Sequence, residues 1–419
     1  DSLPREMKDS YFQTVLYNVK GAGLLNKKVI YAQKSKACGG QKRASAAVYA
    51  AKAQQAENQI HDLIAHYNTG MVTVGDKWNH MASIPGPWGS QWKQFAMPEV
   101  SFHSGNDYPK MDIDIEGTAD PNLPVMSVFN NDKRYIDLFN TGNGVVHWEA
   151  KTSGKWIKLS ETKSTIADEK RIWVTIDWDK APKGADVKGN VYIKWSSTNV
   201  NFWANYDYMS QTQRRQFING ESDVEAAGEL INVDLSIFNP IAPTMQTVKG
   251  FVESSGYISI EAEHFTDKTD RDIASWNIIE GLGRTGDSVT VLPVKIESIE
   301  TPKEIKAESP SLQYDIYTFT EGPAEIYFNC SPSNPINDNY KQRLAVAIDD
   351  ADPVLVTQRK SRSVMENLMV LKAEIDLPKQ GGHQLKIWMV DPGLVIDKII
   401  IDTGGVKDSY LGPPESTYH

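Results

Sequence analysis

Apolar residues recur at helical spacing along the first part of the chain. Tyr11, Val15 and Val19 recur every fourth residue, and Gly39-Gly40 ends this segment. A second segment, from Gln41 to about Tyr67, carries its apolar residues on one face, at Ala44, Ala47, Val48, Ala51, Ile60, Leu63, Ile64 and Tyr67. The spacing predicts two helices within residues 1–70. Because two helices alone bury little apolar surface, we expect this helical-bundle segment to pack on another element.

From about residue 111 the period of the pattern changes to two. Ile172 and Val174 alternate with Trp173 and Thr175. The same alternation is found in a later run, at Val191, Tyr192, Ile193, Lys194 and Trp195. Gly, Asn, Asp and Pro interrupt these runs at short intervals, which is typical of antiparallel sandwiches. The sequence therefore predicts a multidomain fold, α then all-β, with a first β-sandwich domain over 111–245 and a C-terminal one over 250–419.

Residues 71–110 lack periodicity and are dense in Gly, Pro, Trp and Met. So many large aromatic residues predict an ordered loop region rather than a flexible linker. Lys77, Trp78, Asn79 and His80 place a cation and two polar side chains beside an aromatic ring, a combination that lines sugar sites. The alternative is an interdomain loop held by its own side chains.

Composition and charge narrow the classes of partner. The 419 residues carry 54 acidic and 44 basic side chains, for a net charge of -10. This surplus disfavours nucleic acids and anionic membranes as partners, and an acidic polysaccharide would need a local basic pocket. No apolar run is long enough to span a bilayer. The two cysteines, Cys38 and Cys330, fall in different predicted domains and are expected to be free buried thiols.

Familiar catalytic motifs are missing from the sequence. His61 and His66 lie about 140° apart around a helix, so they cannot share a metal as an i, i+4 pair can. Gly281–Gly286 matches G-x-G-x-x-G but opens no helical pattern, which favours a turn over a dinucleotide site. Asp112, Asp114 and Glu116 alternate onto one strand face, and we interpret them as a solvated face. The pattern singles out no catalytic carboxylate pair of the kind glycoside hydrolysis needs.

Two glutamates early in the second β-domain are candidate metal ligands. In residues 258–263 the apolar side chains point one way while Glu261 and Glu263 point the other. With an acidic residue from the last strand, Asp402 or Asp397, they would form an oxygen-rich site suited to calcium. A solvated face remains the alternative.

Several segments together carry a family resemblance, namely Gly75–Met81 (Gly-Asp-Lys-Trp-Asn-His-Met), Ile260–Phe265 (Ile-Glu-Ala-Glu-His-Phe) with Trp276 and Gly281–Gly286, Ala345–Asp350, Asp391–Lys398, and Ser409–Ser416 (Ser-Tyr-Leu-Gly-Pro-Pro-Glu-Ser). In this order they resemble glycoside hydrolase family 115, the xylan α-1,2-glucuronidases. Asp76 departs from the family's second glycine. The last of these runs is quite specific, whereas Glu-Ala-Glu alone is shared with many carbohydrate-binding modules.

The resemblance implies the rear portion of a secreted or periplasmic bacterial enzyme. Family members carry an N-terminal mixed domain, a (β/α)8 barrel with the catalytic carboxylates, a helical bundle and late β-domains that tend to dimerise. This chain resembles the part from the helical bundle onwards, so no catalytic residue is expected in it. The whole enzymes release glucuronic acid or its 4-O-methyl ether from glucuronoxylan, with no cofactor in the chemical step. The C-terminal domain is also similar to carbohydrate-binding modules that hold a structural calcium, which makes Trp276 a candidate for stacking on sugar.

These observations support three hypotheses. The first is an accessory part that supports a catalytic barrel, dimerisation and substrate access, with Lys77, Trp78, Asn79 and His80 nearest the sugar. The second is a stand-alone module that binds xylan, and the third is a structural dimerisation platform. We also expect the N-terminus to be a cut within a longer protein, because Asp1-Ser2-Leu3-Pro4 carries no signal-peptide features.

Overall fold

The protein is described here by a computed structural model that covers residues 3–70, 77, 79, 96–102, 107–116, 122–130, 133–198, 211–219, 229–272, 274–335, 338, 340–357 and 367–419. The predicted loop region over 71–110 lies mostly outside these residues. Within the covered ranges, no helix combines the length and the apolar character that crossing a bilayer requires.

The N-terminal region is a pair of long helices. Helix α1 (Arg5–Tyr11) continues through a π-helical turn (Phe12–Leu16) into α2 (Tyr17–Gly40), and α3 (Ser45–Thr69) packs against α2. The two predicted helices are therefore confirmed, although the structure shows a pair rather than a bundle. The buried face of α3 is small, formed by Ala46, Ala50, Ala53, Ala56 and Ile60.

The predicted apolar face of α3 was wrong in its first half. Val48 is 37% exposed and Ala51 is exposed, while the neighbouring alanines are buried. Small side chains let two helices approach closely, so here the contact face follows residue size rather than hydrophobicity. Lys28 of α2 also reaches Glu57 of α3 at 2.8 Å within this contact.

The middle of the chain forms two sheets. The four-stranded sheet has the order β1-β3-β7-β5, made of β1 (Met111–Ile115), β3 (Arg134–Asn140), β7 (Glu169–Ile176) and β5 (Ile157–Leu159). The five-stranded sheet has the order β2-β9-β8-β4-β6, made of β2 (Met126–Ser127), β9 (Glu229–Asn239), β8 (Gly184–Ser196), β4 (Val146–Thr152) and β6 (Lys163–Ile166). Helix α4 (Gln211–Asn219), which the sequence analysis did not predict, lies between β8 and β9 in the chain.

The C-terminal region forms two six-stranded sheets. One has the order β10-β15-β20-β17-β18 with β12 on β15, made of β10 (Phe251–Val252), β12 (Asp267–Thr269), β15 (Ser311–Thr318), β17 (Arg343–Ile348), β18 (Val354–Thr357) and β20 (Gly381–Met389). The other has the order β13-β14-β21-β16-β19 with β11 on β21, made of β11 (Tyr257–Glu261), β13 (Ser275–Ile279), β14 (Ser288–Leu292), β16 (Gly322–Ser331), β19 (Met369–Leu377) and β21 (Val395–Asp402). The unpredicted helix α5 (Pro302–Glu308) precedes β15.

One apolar core joins these two C-terminal sheets. Ile260, Phe328 and Ile399 from one sheet and Tyr314, Val346 and Leu385 from the other belong to a single buried cluster. The alternating pattern of their strands points these side chains to the inner faces. The predicted C-terminal sandwich therefore exists as two sheets packed face to face, and Cys330 lies in its core as a free thiol. Cys38 is likewise free and buried.

The prediction that both β-domains are purely antiparallel was wrong at two places. β2 pairs in parallel with β9, and β10 pairs in parallel with β15. Both short strands join their sheets after long connections, so their direction is not set by a hairpin turn.

The chain divides into two compact units. The first comprises Asp1–Leu123, Arg134–Thr175 and Gly189–Asp234, and the second comprises Pro124–Lys133, Ile176–Lys188 and Leu235–His419. β7, β8 and β9 contribute residues to both. The domain boundaries expected from the sequence remain a prediction.

Candidate carbohydrate-binding surface

The loop residues expected nearest a sugar are only partly described. Lys77 and Asn79 are both exposed. Trp78, the ring expected to stack on the sugar, and His80 lie outside the described residues. The substrate-proximal role of these four residues remains a proposal.

Trp276 fills the core of the C-terminal sandwich. Its side chain is 3% exposed and belongs to the buried apolar cluster. Its indole Nε1 donates a hydrogen bond to the carbonyl oxygen of Pro310 at 3.1 Å. A ring that stacks on a sugar needs one face open to solvent, so this burial argues against the stacking role that the resemblance assigned to Trp276.

The structure does not bring the predicted calcium ligands Glu261, Glu263 and Asp402 together. Glu261 is paired with Lys398 on β21, whereas Asp402 is opposite Tyr257 at the other end of the same strand pair. Four residues of extended chain separate the two ends by about 13 Å. Asp402 instead accepts hydrogen bonds from the backbone N–H groups of Gly404, Gly405 and Val406. Among the residues described, no group of three or more His, Cys, Asp or Glu side chains is placed to hold a metal ion.

The acidic row on β1 is not the solvated face that the sequence predicted. Asp112 is exposed, but Asp114 is 6% exposed and its Oδ2 lies 2.9 Å from Nη2 of Arg43. Glu116 lies 3.4 Å from Nη1 of Arg134. The cations that neutralise two of these carboxylates lie outside β1, so the local pattern could not reveal them.

An exposed group of aromatic and charged residues lies on the outer face of the four-stranded sheet. Tyr135 of β3 is directly opposite Trp173 of β7, and Asp137 is directly opposite Arg171. The neighbouring pair, Ile136 and Ile172, is fully buried on the inner face. Trp173 is 40% exposed. We call Tyr135, Asp137, Arg171 and Trp173 the aromatic face.

The side chains of the aromatic face order one another. The rings of Tyr135 and Trp173 meet edge to face with centroids 5.5 Å apart. The Arg171 guanidinium lies 3.5 Å from the centre of the Tyr135 ring and donates to both Asp137 oxygens, at 2.7 and 2.9 Å. Such a two-point contact fixes the plane of the guanidinium. The polar groups are therefore already oriented beside the exposed indole.

The strand edges hold the backbone under this face. The N–H of Trp173 donates to Oγ of Ser160, and the N–H of Ser160 donates to the Trp173 carbonyl, both at 2.9 Å. The N–H of Tyr135 donates to Oε1 of Glu116 at 3.3 Å.

The pKa values of Tyr135 and Arg171 in the aromatic face are both raised, so both groups stay protonated near neutral pH. Burial raises the pKa of the Tyr135 hydroxyl, although the adjacent Arg171 charge opposes that rise. Hydrogen bonds to Asp137 raise the pKa of Arg171. Near neutral pH the surface therefore offers a neutral phenol and a guanidinium beside the indole. Stacking rings with adjacent oriented polar groups are the means by which proteins hold sugar rings.

Sequence reasoning missed the aromatic face, although a signal was present. The alternation of Trp173 with Ile172 and Val174 already placed the tryptophan on the face away from the core. Its partners Tyr135 and Asp137 lie on a strand more than 30 residues away, as the Arg171–Asp137 separation shows. Only strand pairing brings these residues side by side.

Comparison with known proteins found one family whose model matches part of this chain. Residues 250–415 match the glycosyl hydrolase family 115 C-terminal domain, which supports the family that the sequence resembles. No curated protein matches the chain by sequence.

Solved structures that are similar to part of the chain were also found. A family GH115 4-O-methyl-α-glucuronidase with specificity for decorated arabinogalactans has 18% identity and a TM-score of 0.27, over 39% of this chain and 19% of its own. The matched part of this chain thus spans about a fifth of that enzyme's length. The C-terminal CBM6 of LamC from Zobellia galactanivorans has 14% identity and a TM-score of 0.24, over 35% of this chain and 98% of its own. A family 35 carbohydrate-binding module from Clostridium thermocellum has 9% identity and a TM-score of 0.24, over 35% and 96%.

Proposed function

We propose that this chain is the non-catalytic accessory part of a family 115 glycoside hydrolase. The whole enzyme releases glucuronic acid, or its 4-O-methyl ether, from the side chains of glucuronoxylan. The observation that carries the proposal is the match of residues 250–415 to the family's C-terminal domain. The catalytic carboxylates belong to a barrel that this chain accompanies.

The burial and ion pairing of three carboxylates support an accessory role. Asp114, Glu261 and Asp397 are all buried and each is paired with a cation, namely Arg43, Lys398 and Arg284. A general acid or nucleophile must reach the glycosidic bond. Carboxylates committed to internal ion pairs do not meet that requirement.

The aromatic face is the surface by which this part holds the polysaccharide. Trp173 stacks on a sugar ring, while Arg171 and Tyr135 hydrogen-bond its hydroxyl groups. Lys77, Trp78, Asn79 and His80 approach the sugar nearer the catalytic site, where Lys77 meets the uronate carboxylate. No cofactor takes part in the chemical step.

The helix pair and the C-terminal domain serve assembly. The helices pack on the catalytic half of the enzyme, and the late β-domain supports a homodimer. The enzyme is secreted or periplasmic in a bacterium and meets neither nucleic acid nor membrane as a partner.

Affinity electrophoresis of this chain in a gel that contains glucuronoxylan tests the binding part of the proposal. We expect the polysaccharide to retard the wild type, and Trp173→Ala to weaken binding about ten-fold, or about 1.4 kcal/mol. Tyr108→Ala removes another exposed ring of the same unit and serves as the matched control, with unchanged mobility. A wild type that runs unretarded, or a Trp173→Ala protein retarded like the wild type, would refute the role of the aromatic face.

An assay for released uronic acid tests the accessory part. We expect this chain alone to release none from glucuronoxylan and to raise the turnover of long substrate when it is part of the whole enzyme. Release by the purified chain would contradict the proposal. Retardation by xylan without any effect on the whole enzyme would favour the second candidate, a stand-alone xylan-binding module, which the aromatic face also favours.

A further inference from the structure

We infer that Arg284 and Lys398 take the place of a structural metal ion in the C-terminal sandwich and clamp its final segment. At one end of β11 and β21, three carboxylates, those of Glu261, Glu263 and Asp397, line the loop Gly283–Asp287. We call these three the carboxylate cluster.

The loop Gly283–Asp287 contacts every member of the carboxylate cluster. Arg284 donates to Asp397, and Thr285 donates from Oγ1 to both oxygens of Glu261, at 2.9 and 3.0 Å. The N–H of Asp287 donates to Oε1 of Glu263 at 2.8 Å. The loop therefore lies directly on the cluster.

Asp397 is neutralised by the arginine of the same loop. Its side chain is buried, as is that of Arg284, which is 9% exposed. Oδ1 accepts from the Arg284 backbone N–H at 3.0 Å, and Oδ2 accepts from Nε at 2.9 Å. Both oxygens of this carboxylate are therefore occupied by one residue.

Glu261 is neutralised by a lysine from the neighbouring strand. Nζ of Lys398 lies 3.0 Å from Oε1 of Glu261, and the two side chains are 2% and 11% exposed. An ammonium group excluded from water in this way needs a nearby anion, because an uncompensated buried charge is strongly unfavourable. The pair is thus a fixed internal cation and its counter-ion.

Calcium does not fit the oxygens that remain. It takes 6–8 oxygen ligands at 2.3–2.6 Å, and here nitrogens of Arg284 and Lys398 already lie within 3.0 Å of oxygens of the carboxylate cluster. Oε2 of Glu263 is buried without a hydrogen-bond partner in the described structure, and a single oxygen is too few. The loop also lies tightly on the cluster, since a Cβ at Gly286 would lie 2.3 Å from Oε1 of Glu263.

The same two cations hold the end of the chain. Nη1 of Arg284 donates to the Tyr410 carbonyl at 2.7 Å. Nζ of Lys398 donates to the carbonyls of Leu411 and Pro413, both at 3.2 Å. Each cation therefore joins one carboxylate of the cluster to the segment 410–413. A metal ion bridges carboxylates and carbonyls in the same manner.

Hydrogen bonds of Glu415 and Ser416 hold the far side of the final segment. Oε1 of Glu415 accepts from the N–H of Glu261 at 2.9 Å and contacts Nδ1 of His264 at 2.7 Å. Oγ of Ser416 accepts from the N–H of Ser259 at 3.1 Å. The run Ser409–Ser416 thus contains the segment that the two cations clamp.

Thermal unfolding of the whole chain tests the metal-free part of the inference. We expect the melting temperature to stay within about 1 °C when EDTA is added, and likewise when millimolar Ca²⁺ is added after chelation. A fall of several degrees with EDTA that Ca²⁺ reverses would overturn the inference. Mg²⁺ at the same ionic strength is the control for salt.

Hydrogen exchange tests the clamp. Lys398→Met and Arg284→Met are expected to speed exchange of residues 410–416 at least ten-fold while β15 and β20 keep their protection. Lys372→Met, which removes an exposed lysine of the same sheet paired with Glu325, is the matched control and leaves exchange unchanged. Unchanged exchange of 410–416 in both cluster variants would overturn the clamp. If neither variant folds, the unfolding measurement on the wild type still decides the metal question.

Discussion

Lys194 is buried, although its position in the alternating pattern predicts an exposed side chain. It alternates with Ile193 and Trp195 along β8, so the sequence placed it on the outer face with Tyr192. The structure buries it to 1% exposure. Burial lowers the pKa of its ammonium group to about 8. The folded protein therefore carries a lysine whose charged form is disfavoured.

The contribution of Lys194 to the stability of the protein should consequently rise with pH in the alkaline range. The folded pKa lies below the unfolded value, so between about pH 8 and 10.5 the unfolded chain binds a proton that the folded one has released. Above pH 8 the penalty on the charged form is progressively relieved, while below pH 8 it is fully present. Lys194→Met is expected to raise the free energy of unfolding at pH 7 by about 2 kcal/mol and to flatten this rise.

Urea unfolding at pH 7 and pH 10 measures both effects. Lys188→Met, on the same strand but with an exposed side chain, is the control and should change neither value by more than about 0.5 kcal/mol. A wild type and a Lys194→Met protein with the same dependence on pH would contradict the assignment.

At the scale of elements, a buried ion network fastens the helix pair to the four-stranded sheet. Arg43, in the turn between α2 and α3, reaches Asp114 of β1 at 2.9 Å and Glu169 of β7 at 3.3 Å. Its guanidinium also lies 4.1 Å from the centre of the Phe139 ring. Ser45 and Tyr49 of α3 donate to Glu169, each at 2.7 Å. One arginine thus serves two carboxylates from two strands.

Removal of this arginine should destabilise the protein strongly. Arg43→Met leaves Asp114 buried and without its cation, and a broken buried pair costs about 3–5 kcal/mol. Arg171→Met, at the exposed pair with Asp137, should cost at most about 1 kcal/mol. Urea unfolding at pH 7 measures the free energy of unfolding of both variants. Equal losses would contradict the expectation that the buried network contributes more than the exposed pair.

The sequence predicted the types of the elements better than it predicted the contacts between them. The 3.6-residue and 2-residue periods correctly indicated α2, α3 and the alternating strands, because they depend on neighbours within four residues. Helix α5 was missed although its signal is local: Thr301, Pro302 and Glu304 form a capping box in which Thr301 Oγ1 accepts from the Glu304 N–H. The parallel pairings of β2 and β10 had no local signal.

At the scale of the whole molecule, an exposed apolar strip marks where another part of the enzyme is proposed to pack. Met7, Tyr11, Val15 and Val19 recur every fourth residue along α1, the π-helical turn and α2, and are 53%, 43%, 42% and 65% exposed. Their periodicity predicted a helix, but the structure shows that α3 covers another face. A strip of this kind fits the proposal that the helix pair packs on the catalytic half.

Val19→Asp tests that proposal. In this chain the substitution should change the free energy of unfolding by no more than about 0.5 kcal/mol, because Val19 is exposed. In a protein that contains both the catalytic barrel and this chain, it should lower the melting temperature by several degrees, since the charge would then be buried. Differential scanning calorimetry measures the melting temperatures of both proteins. An unchanged melting temperature of the longer protein would contradict the proposal that the strip lies in the interface.

The amino-acid sequence by itself determined the kinds of elements, their order and the resemblance to a family, because these depend on short-range periodicity and on contiguous runs such as Ser409–Ser416. Only the tertiary structure decided which charges meet. Arg284 and Asp397 are 113 residues apart in the chain, and Arg43 and Glu169 are 126 apart. Such pairs form because strand pairing and packing bring distant side chains into a space without water, where each buried charge requires a partner.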